Sequence, residues 1–284
     1  MATLRHTCVT LALWLVAAMA GTEAQVFRSS VDAVTVDVSV IRDGVPVAGL
    51  QAADFQLEDN GARQELSSVT QDSVPLHVSL VLDTSASVSG ERLNRLTYAA
   101  KALLDHLRAD DRTSLITFSQ DVRLRTSEAA RDADTRNALG GLVGTGSTSL
   151  RDGVQLALSL TADERTRSLL LVFSDGADTM SWLSEEDVLD TARRSAGVVH
   201  VVRFNANEFL DRIAEATGGR SWAARSDTQL AQLFTQALDE MRARYVLTYT
   251  PARTPAKGWH AIKVSLKDRG SVVTARPGYF VAGP

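Results

Sequence analysis

Asp83, Ser85 and Ser87 stand two residues apart in Val81-Leu82-Asp83-Thr84-Ser85-Ala86-Ser87, directly after an apolar run and ahead of a helical pattern. Two further segments carry oxygen chemistry of the same kind, Gly146-Ser147-Thr148-Ser149-Leu150 and Phe173-Ser174-Asp175-Gly176. Together Asp83, Ser85, Ser87, Thr148 and Asp175 offer three hydroxyls and two carboxylates, with no imidazole or thiolate among them. Hard divalent cations prefer such a set, Mg²⁺ above all. Magnesium takes about six oxygens and keeps several waters, so side chains on three loops would hold it partly directly and partly through water. One position would stay open for an outside oxygen. Because neutral hydroxyls cancel little of its charge, the ion would accept an anionic ligand such as a partner's carboxylate. Taken singly, each segment is more often structural than metal-binding, since Asp and Ser are ordinary helix caps and turn formers. The three in order shift the reading to a metal site.

These loops need strands and helices to hold them at one edge. Apolar runs at 77–82, 113–118, 168–173 and 198–204 read as strands, and Leu169–Phe173 and Val198–Val202 are apolar nearly throughout. That is the pattern of a strand covered on both faces. Between them lie helical periodicities. In 91–108 the apolar positions are Leu93, Leu96, Ala100, Leu103, Leu104 and Leu107, and in 227–244 they are Leu230, Leu233, Phe234, Ala237, Leu238 and Met241. Shorter helices fit 149–162, 184–195 and 208–217, the last closed by Gly218-Gly219. Alternating strands and helices predict a mostly parallel sheet with helices on both faces. In such a sheet ligands bind beyond the carboxyl ends of strands, where all three oxygen-bearing loops fall.

The flanks are β in character. Val34, Val36, Val38 and Val40 alternate with polar residues, and Asp43-Gly44 and Asn60-Gly61 are hairpin turn signals. Beyond the α/β region, Val246–Tyr249, Ile262–Leu266 and Val272–Ala275 read as strands. Each flank is too short to be an independent domain, so the expectation is that they pack together as one small β-sandwich with the α/β domain inserted between them. Residues 1–24 read as a secretory leader: Arg5 is followed by an apolar run from Cys8 to Ala20, too short for a membrane span of about 20 residues. The expected organisation is therefore a leader at 1–24, an N-terminal β segment at 25–74, an α/β domain at 75–245 and a C-terminal β segment at 246–284.

Composition narrows the function. The chain has 284 residues, 44% of them hydrophobic and 23% charged, with a formal net charge of −4. No basic field is present to attract nucleic acid or anionic lipid. The single cysteine, Cys8, lies inside the expected leader, so a mature chain from Gln25 would lack disulfides, thiol nucleophiles and Cys-ligated zinc. His77, His106, His200 and His260 show no H-x-H or H-E-x-x-H spacing, and neither a G-x-S-x-G elbow nor a phosphate loop occurs. The reading is of a non-enzyme. Asp152 and Asp178 are taken as helix-start and loop acids, Gly140, Gly141, Gly144 and Gly146 as freedom for the Thr148 loop, and Trp182 and Trp222 as packing residues.

The D-x-S-x-S, Thr and Asp motifs together resemble the von Willebrand factor A domain with its metal-ion-dependent adhesion site, over about 75–240. That resemblance implies a Rossmann-like sheet, one Mg²⁺ or Mn²⁺, and recognition through the metal. It also implies that Ser85, Ser87 and Thr148 touch the ion or its water, while Asp83 and Asp175 hold it mostly through water. The flanking segments Gly44–Leu50, Asp54-Phe55, Glu58–Gly61, Arg244–Tyr249 and Arg276–Phe280 are similar to a bacterial group of VWFA-related proteins abundant in acidobacteria, which are exported. The function expected is an exported, periplasmic or extracellular module that recognises an acidic group on a protein partner through the cation, with no nucleic acid and no stable membrane span. The alternative is a scaffold whose metal site is empty or only stabilising.

Overall fold

Two-residue hairpin turns set the register of the N-terminal strands. Asp43 and Gly44 both have positive φ (53° and 81°), as do Asn60 and Gly61 (48° and 76°), the type I′ combination that fits the twist of paired strands. In the computed structural model, residues 33–71, 74–130, 132–161, 167–251, 256–268 and 270–281 are described, and the expected leader lies outside them. The first turn joins β1 (Val34–Arg42) to β2 (Val45–Pro46), and the second joins β3 (Phe55–Asp59) to β4 (Ala62–Gln64), with β5 (Leu66–Gln71) following.

The chain then alternates through β6 (Leu76–Asp83), α1 (Glu91–Asp105), β7 (Arg112–Phe118), β8 (Val122–Thr126), α2 (Asp132–Gly140), α3 (Leu150–Ser159), β9 (Arg167–Ser174), α4 (Glu185–Arg194), β10 (Val198–Arg203), α5 (Glu208–Ala216), β11 (Ser221–Ala223) and α6 (Leu230–Arg242). It closes with β12 (Tyr245–Tyr249), β13 (Gly258–Leu266), β14 (Val272–Ala275) and β15 (Gly278–Val281).

Among the described residues, the central sheet runs β11-β10-β9-β6-β7-β8, parallel except for β8, which returns antiparallel to β7. Every residue of β6 and β9 is buried, as their apolar runs require. Their side chains alternate between two cores. Val78, Leu80, Leu82, Leu169, Leu171 and Phe173 face α1 and α6, whereas Val81, Leu170 and Val172 face α3, α4 and α5. Strand order reverses at β6, whose neighbours β7 and β9 lie on opposite sides, and such a switch opens a crevice at the carboxyl edge.

The two ends of the chain build the sandwich the alternation predicted. β1 pairs antiparallel with β12 on one side and β14 on the other, and β12 also pairs with β5. The facing sheet runs β15-β13-β3-β4. Val36, Val38, Val40, Tyr245, Leu247 and Tyr249 of the first sheet pack against Phe55, Leu57 and Ile262 of the second. The deeply buried carboxylate of Asp59 accepts hydrogen bonds from the Tyr249 and Tyr279 hydroxyls, each at 2.9 Å, and lies 2.9 Å from His260 Nδ1.

Cationic side chains fasten the sandwich to the α/β unit. Arg167 at the start of β9 pairs with Asp37 of β1 and donates to the Met241 carbonyl. Arg276 donates to the Arg193 carbonyl at the end of α4 (2.9 Å), and Arg194 lies 3.8 Å above the Phe280 ring. Arg244 is fully buried where α6 passes into β12. It bonds both oxygens of Glu240 at 3.1 Å and the Gly218 carbonyl at 2.8 Å. Glu240 also lies 2.5 Å from His200 Nε2, and His200 Nδ1 accepts from the Arg220 amide. Burial holds the His200 imidazole neutral. His200 is thus the hydrogen-bonded core histidine that its apolar strand suggests.

Candidate metal centre

β6 ends on Asp83, and the turn that follows is fixed by that residue. Asp83 Oδ1 accepts from the Ser85 amide at 2.9 Å, while Oδ2 accepts from the Ser174 hydroxyl at 2.9 Å across the gap to β9. A short 3₁₀ turn over Ala86–Val88 then carries the chain towards α1. The turn brings the Ser85 and Ser87 hydroxyls within 3.1 Å of each other. Ser87 Oγ donates to Asp175 Oδ1 at 2.8 Å, which ties the end of β6 to the loop after β9.

Thr148 reaches the same edge from the loop before α3. Its amide donates to Thr179 Oγ1 (3.0 Å), and its carbonyl accepts from the Thr179 and Met180 amides at 2.9 and 3.1 Å. Thr148 is nearly buried, and among the described residues its hydroxyl has no hydrogen-bond partner. The loop leading to it packs on the Asp83 turn through backbone bonds, Ala86 N to Gly146 O and Thr145 N to Thr84 O. One of its glycines, Gly144, makes a close backbone approach. A Cβ at Gly144 would meet Val88 O and Ser89 Cα at 2.8 Å, so only glycine admits so close an approach.

All five sequence-selected residues therefore lie at the carboxyl edge of the central sheet. Ser85, Ser87 and Asp175 form one hydrogen-bonded chain, and Asp83 and Thr148 reach it through backbone and loop contacts. Asp83 is fully buried with neutral donors at both oxygens. Burial raises its pKa, the Ser85 and Ser174 hydrogen bonds oppose that rise, and the nearby charge of Asp175 adds to it. A buried carboxylate that lacks a cation, beside two facing hydroxyls and an unpartnered threonine hydroxyl, fits a hard divalent ion.

Asp175 differs, because a guanidinium already sits on it. Arg92 of α1 donates through Nη1 to Asp175 Oδ2 at 2.5 Å and through Nε to Asp227 Oδ1 at 3.1 Å. The guanidinium lies 4.7 Å above the Phe204 ring. Burial works against its charge, but the two carboxylates hold its pKa above the ordinary arginine value. The Asn205 side chain donates to the Asp175 carbonyl at 2.5 Å. Sequence reasoning missed Arg92, Ser174 and Asn205. Ser174 was visible inside the Phe173–Gly176 segment, but nothing in the spacing of Arg92 or Asn205 points to Asp175.

The neighbouring acids are structural, as their positions suggested. Asp178 accepts from the Arg151 and Ser181 amides and from both their side chains. Burial opposes ionisation there, but these hydrogen bonds outweigh it and leave the carboxyl below the usual range. Asp152 clamps the amides of Trp182 and Leu183 at 3.0 and 3.1 Å. Trp182 corrects the packing expectation. It is 95% exposed, displayed on a loop whose backbone those bonds fix, whereas Trp222 packs against the core and His200.

Residues 78–177, which include all five candidate ligands, match the family model described as the von Willebrand factor type A domain. Among curated proteins, the chain is similar to inter-alpha-trypsin inhibitor heavy chain H2 of Homo sapiens, 27% identical over 125 residues, covering 39% of this chain and 13% of that protein. It is also similar to the uncharacterized protein sll0103 of Synechocystis sp., 31% identical over 107 residues, covering 36% of this chain and 26% of that one. The chain thus spans 13% and 26% of the length of these two relatives. In fold it is similar to a von Willebrand factor type A structure from Catenulispora acidiphila, with a TM-score of 0.55 at 14% identity, covering 82% of this chain and 74% of that one. Proximal thread matrix protein 1 from the mussel byssus, solved with a zinc-occupied MIDAS motif, gives a TM-score of 0.53 at 15% identity over 63% of this chain and 48% of that one. At these identities the structural likeness is one of fold.

Proposed function

We propose that this chain, whose residues 78–177 match the von Willebrand factor type A domain, is an exported, non-enzymatic binding module that recognises an acidic group on a protein partner through a divalent cation, Mg²⁺ or Mn²⁺. Asp83, Ser85, Ser87, Thr148 and Asp175 are the residues that would hold the ion. When bound, it would act as a Lewis acid towards an outside carboxylate. The observation that supports this reading is the run of hydrogen bonds from Asp83 through Ser85 and Ser87 to Asp175, in which Asp83 is a buried carboxylate with only neutral donors. Hydroxyl and carboxylate oxygens select a hard cation and exclude no outside ligand.

Each residue has a definable task. Asp83 supplies buried negative charge and, through the Ser85 amide, shapes the turn that presents both serines. Asp175 accepts the Ser87 hydroxyl proton, which orients the lone pairs of that oxygen away from the bond. Thr148 is positioned by three backbone contacts to the 179–180 segment, so its hydroxyl is held in place without a partner of its own.

The test is capture of protein partners on the immobilised chain in millimolar Mg²⁺ and in EDTA, with Asp83→Ala alongside. Partners retained by the wild type in Mg²⁺ and released both by EDTA and by the substitution support the reading. Retention unchanged in EDTA refutes it and favours the scaffold alternative. One observation speaks for that alternative, the Arg92 guanidinium already seated on Asp175.

A further inference from the structure

The two carboxylates of the metal centre are not equivalent. Asp83 faces the Ser85 amide and the Ser174 hydroxyl, both neutral. Asp175 has both oxygens engaged, Oδ1 by Ser87 Oγ at 2.8 Å and Oδ2 by Arg92 Nη1 at 2.5 Å. Arg92 is placed firmly. It projects from the first turn of α1, its guanidinium face rests on Phe204, and Phe204 packs edge-on against Phe173 of β9 at 5.9 Å. Its Nε donates to Asp227, on the short turn that leads into α6. One arginine therefore bridges a candidate metal residue and a carboxylate outside the centre.

We propose that Arg92 is a resident counter-cation that sets how tightly this centre takes a divalent ion. The inference rests on the metal reading above. A cation arriving among Asp83, Ser85, Ser87, Thr148 and Asp175 meets a carboxylate whose charge is already compensated, and it meets a like charge held by the protein. Repulsion between like charges a few ångströms apart in a partly buried site is substantial. Asp227 supplies the relief, because it offers Arg92 a second carboxylate to lean on as the ion draws on Asp175. The centre thus takes a cation weakly by itself and more tightly once a partner's carboxylate adds negative charge. Arg92 is a positioning and tuning residue and not a ligand.

Calorimetric titration of Mn²⁺ alone into the purified protein tests this, with Arg92→Gln, Arg92→Lys, Asp227→Asn and Asp83→Ala compared under the same conditions. Arg92→Gln removes the charge and keeps a polar side chain of similar reach. Its expected effect is Mn²⁺ binding tighter by about tenfold or more, equivalent to about 1.4 kcal/mol. Arg92→Lys keeps the charge and stays near the wild type, which separates charge from packing. Asp227→Asn leaves Arg92 with Asp175 alone and weakens binding. Equal or weaker binding by a folded Arg92→Gln protein, while the wild type binds and Asp83→Ala does not, overturns the inference and leaves the metal reading intact. If neither the wild type nor Arg92→Gln binds Mn²⁺, both fall. Should Arg92→Gln not fold, Asp227→Asn decides, and unchanged affinity there overturns the proposal.

Discussion

Replacing Asp83 by asparagine separates the architecture of the centre from its charge. In the structure Asp83 Oδ1 accepts the Ser85 amide, and an asparagine oxygen can do the same. Oδ2 accepts from Ser174 Oγ, and that hydroxyl can rotate to accept from an asparagine amide. The turn therefore survives, and the melting temperature in EDTA should move little. What the substitution removes is the buried negative charge on which the proposed cation binding depends. An ion present at about 100 times its Kd stabilises the native state by about 2.7 kcal/mol. For a chain of this size about 2–4 °C accompanies each kcal/mol, so the wild-type melt should rise by roughly 5–10 °C on replacing EDTA with saturating Mn²⁺. The Asp83→Asn melt should not rise. Differential scanning calorimetry of both proteins in both buffers is the assay. The pH dependence in EDTA gives a second reading. Asp83 has a raised pKa in the folded state, so the native chain binds more protons than the unfolded one. Its contribution falls as pH rises from the unfolded value of about 3.9 through the folded one, and Asp83→Asn should lack that decline. A rise of equal size in both proteins would refute the assignment, since an ion that ignores Asp83 is bound elsewhere.

Other expectations follow from the same physics. Glu240→Ala leaves the fully buried Arg244 without its carboxylate, and stripping one partner from a buried pair costs about 3–5 kcal/mol, readable as a lowered denaturation midpoint in urea. His260 has a raised pKa: burial works against its charge, but the Ala256 carbonyl at Nε2 and Asp59 at Nδ1 outweigh it. Its contribution is full below about pH 6.5 and is lost as pH rises through the folded value, so the stability advantage of the wild type over His260→Gln should shrink from pH 6 to pH 9. Gly218→Ala places a Cβ 2.3 Å from the Arg276 amide at a φ of +72°, and a loss of about 2–4 kcal/mol is expected from strain and overpacking, measurable by thermal unfolding.

Much of this was legible in the chain because burial leaves a mark on composition. The runs Leu169–Phe173 and Val198–Val202 could only be strands covered on both faces, and Val34 to Val40 could only be a strand with one dry side. Asp83, Ser85, Ser87 and Asp175 could be singled out because they fall at the ends of such runs, where loops must lie, and Thr148 because it directly precedes a helical pattern. Short elements were not. β8, α2 and β11 carry no strong period, and their place is set by what they pack against. Arg92 stayed hidden because its partners, Asp175 and Asp227, lie 83 and 135 residues away, and only the folded sheet brings them together. Trp182 was misread because side-chain type says nothing about a backbone clamped outward by Asp152. The close approach at Gly144 was not legible either, because sequence shows a glycine but not the backbone of Ser89 pressed against it.

The pairing of β1 with β12 and β14 dictates an order of assembly. Val36 sits opposite Leu247 and Val40 opposite Val273, so beyond its short hairpin with β2 the first strand finds its long neighbours only after more than two hundred intervening residues. Contacts of such long sequence separation form late, because a long loop must close before they repay its entropy. The α/β unit has its strands and helices close together in the chain and can organise first. A chain synthesised amino end first holds Val34–Arg42 without its long partners until Tyr245–Ala275 has followed. During that interval the strand is the segment most open to pairing with another molecule. Closing this sheet is therefore the step that reports that Tyr245–Ala275 has arrived.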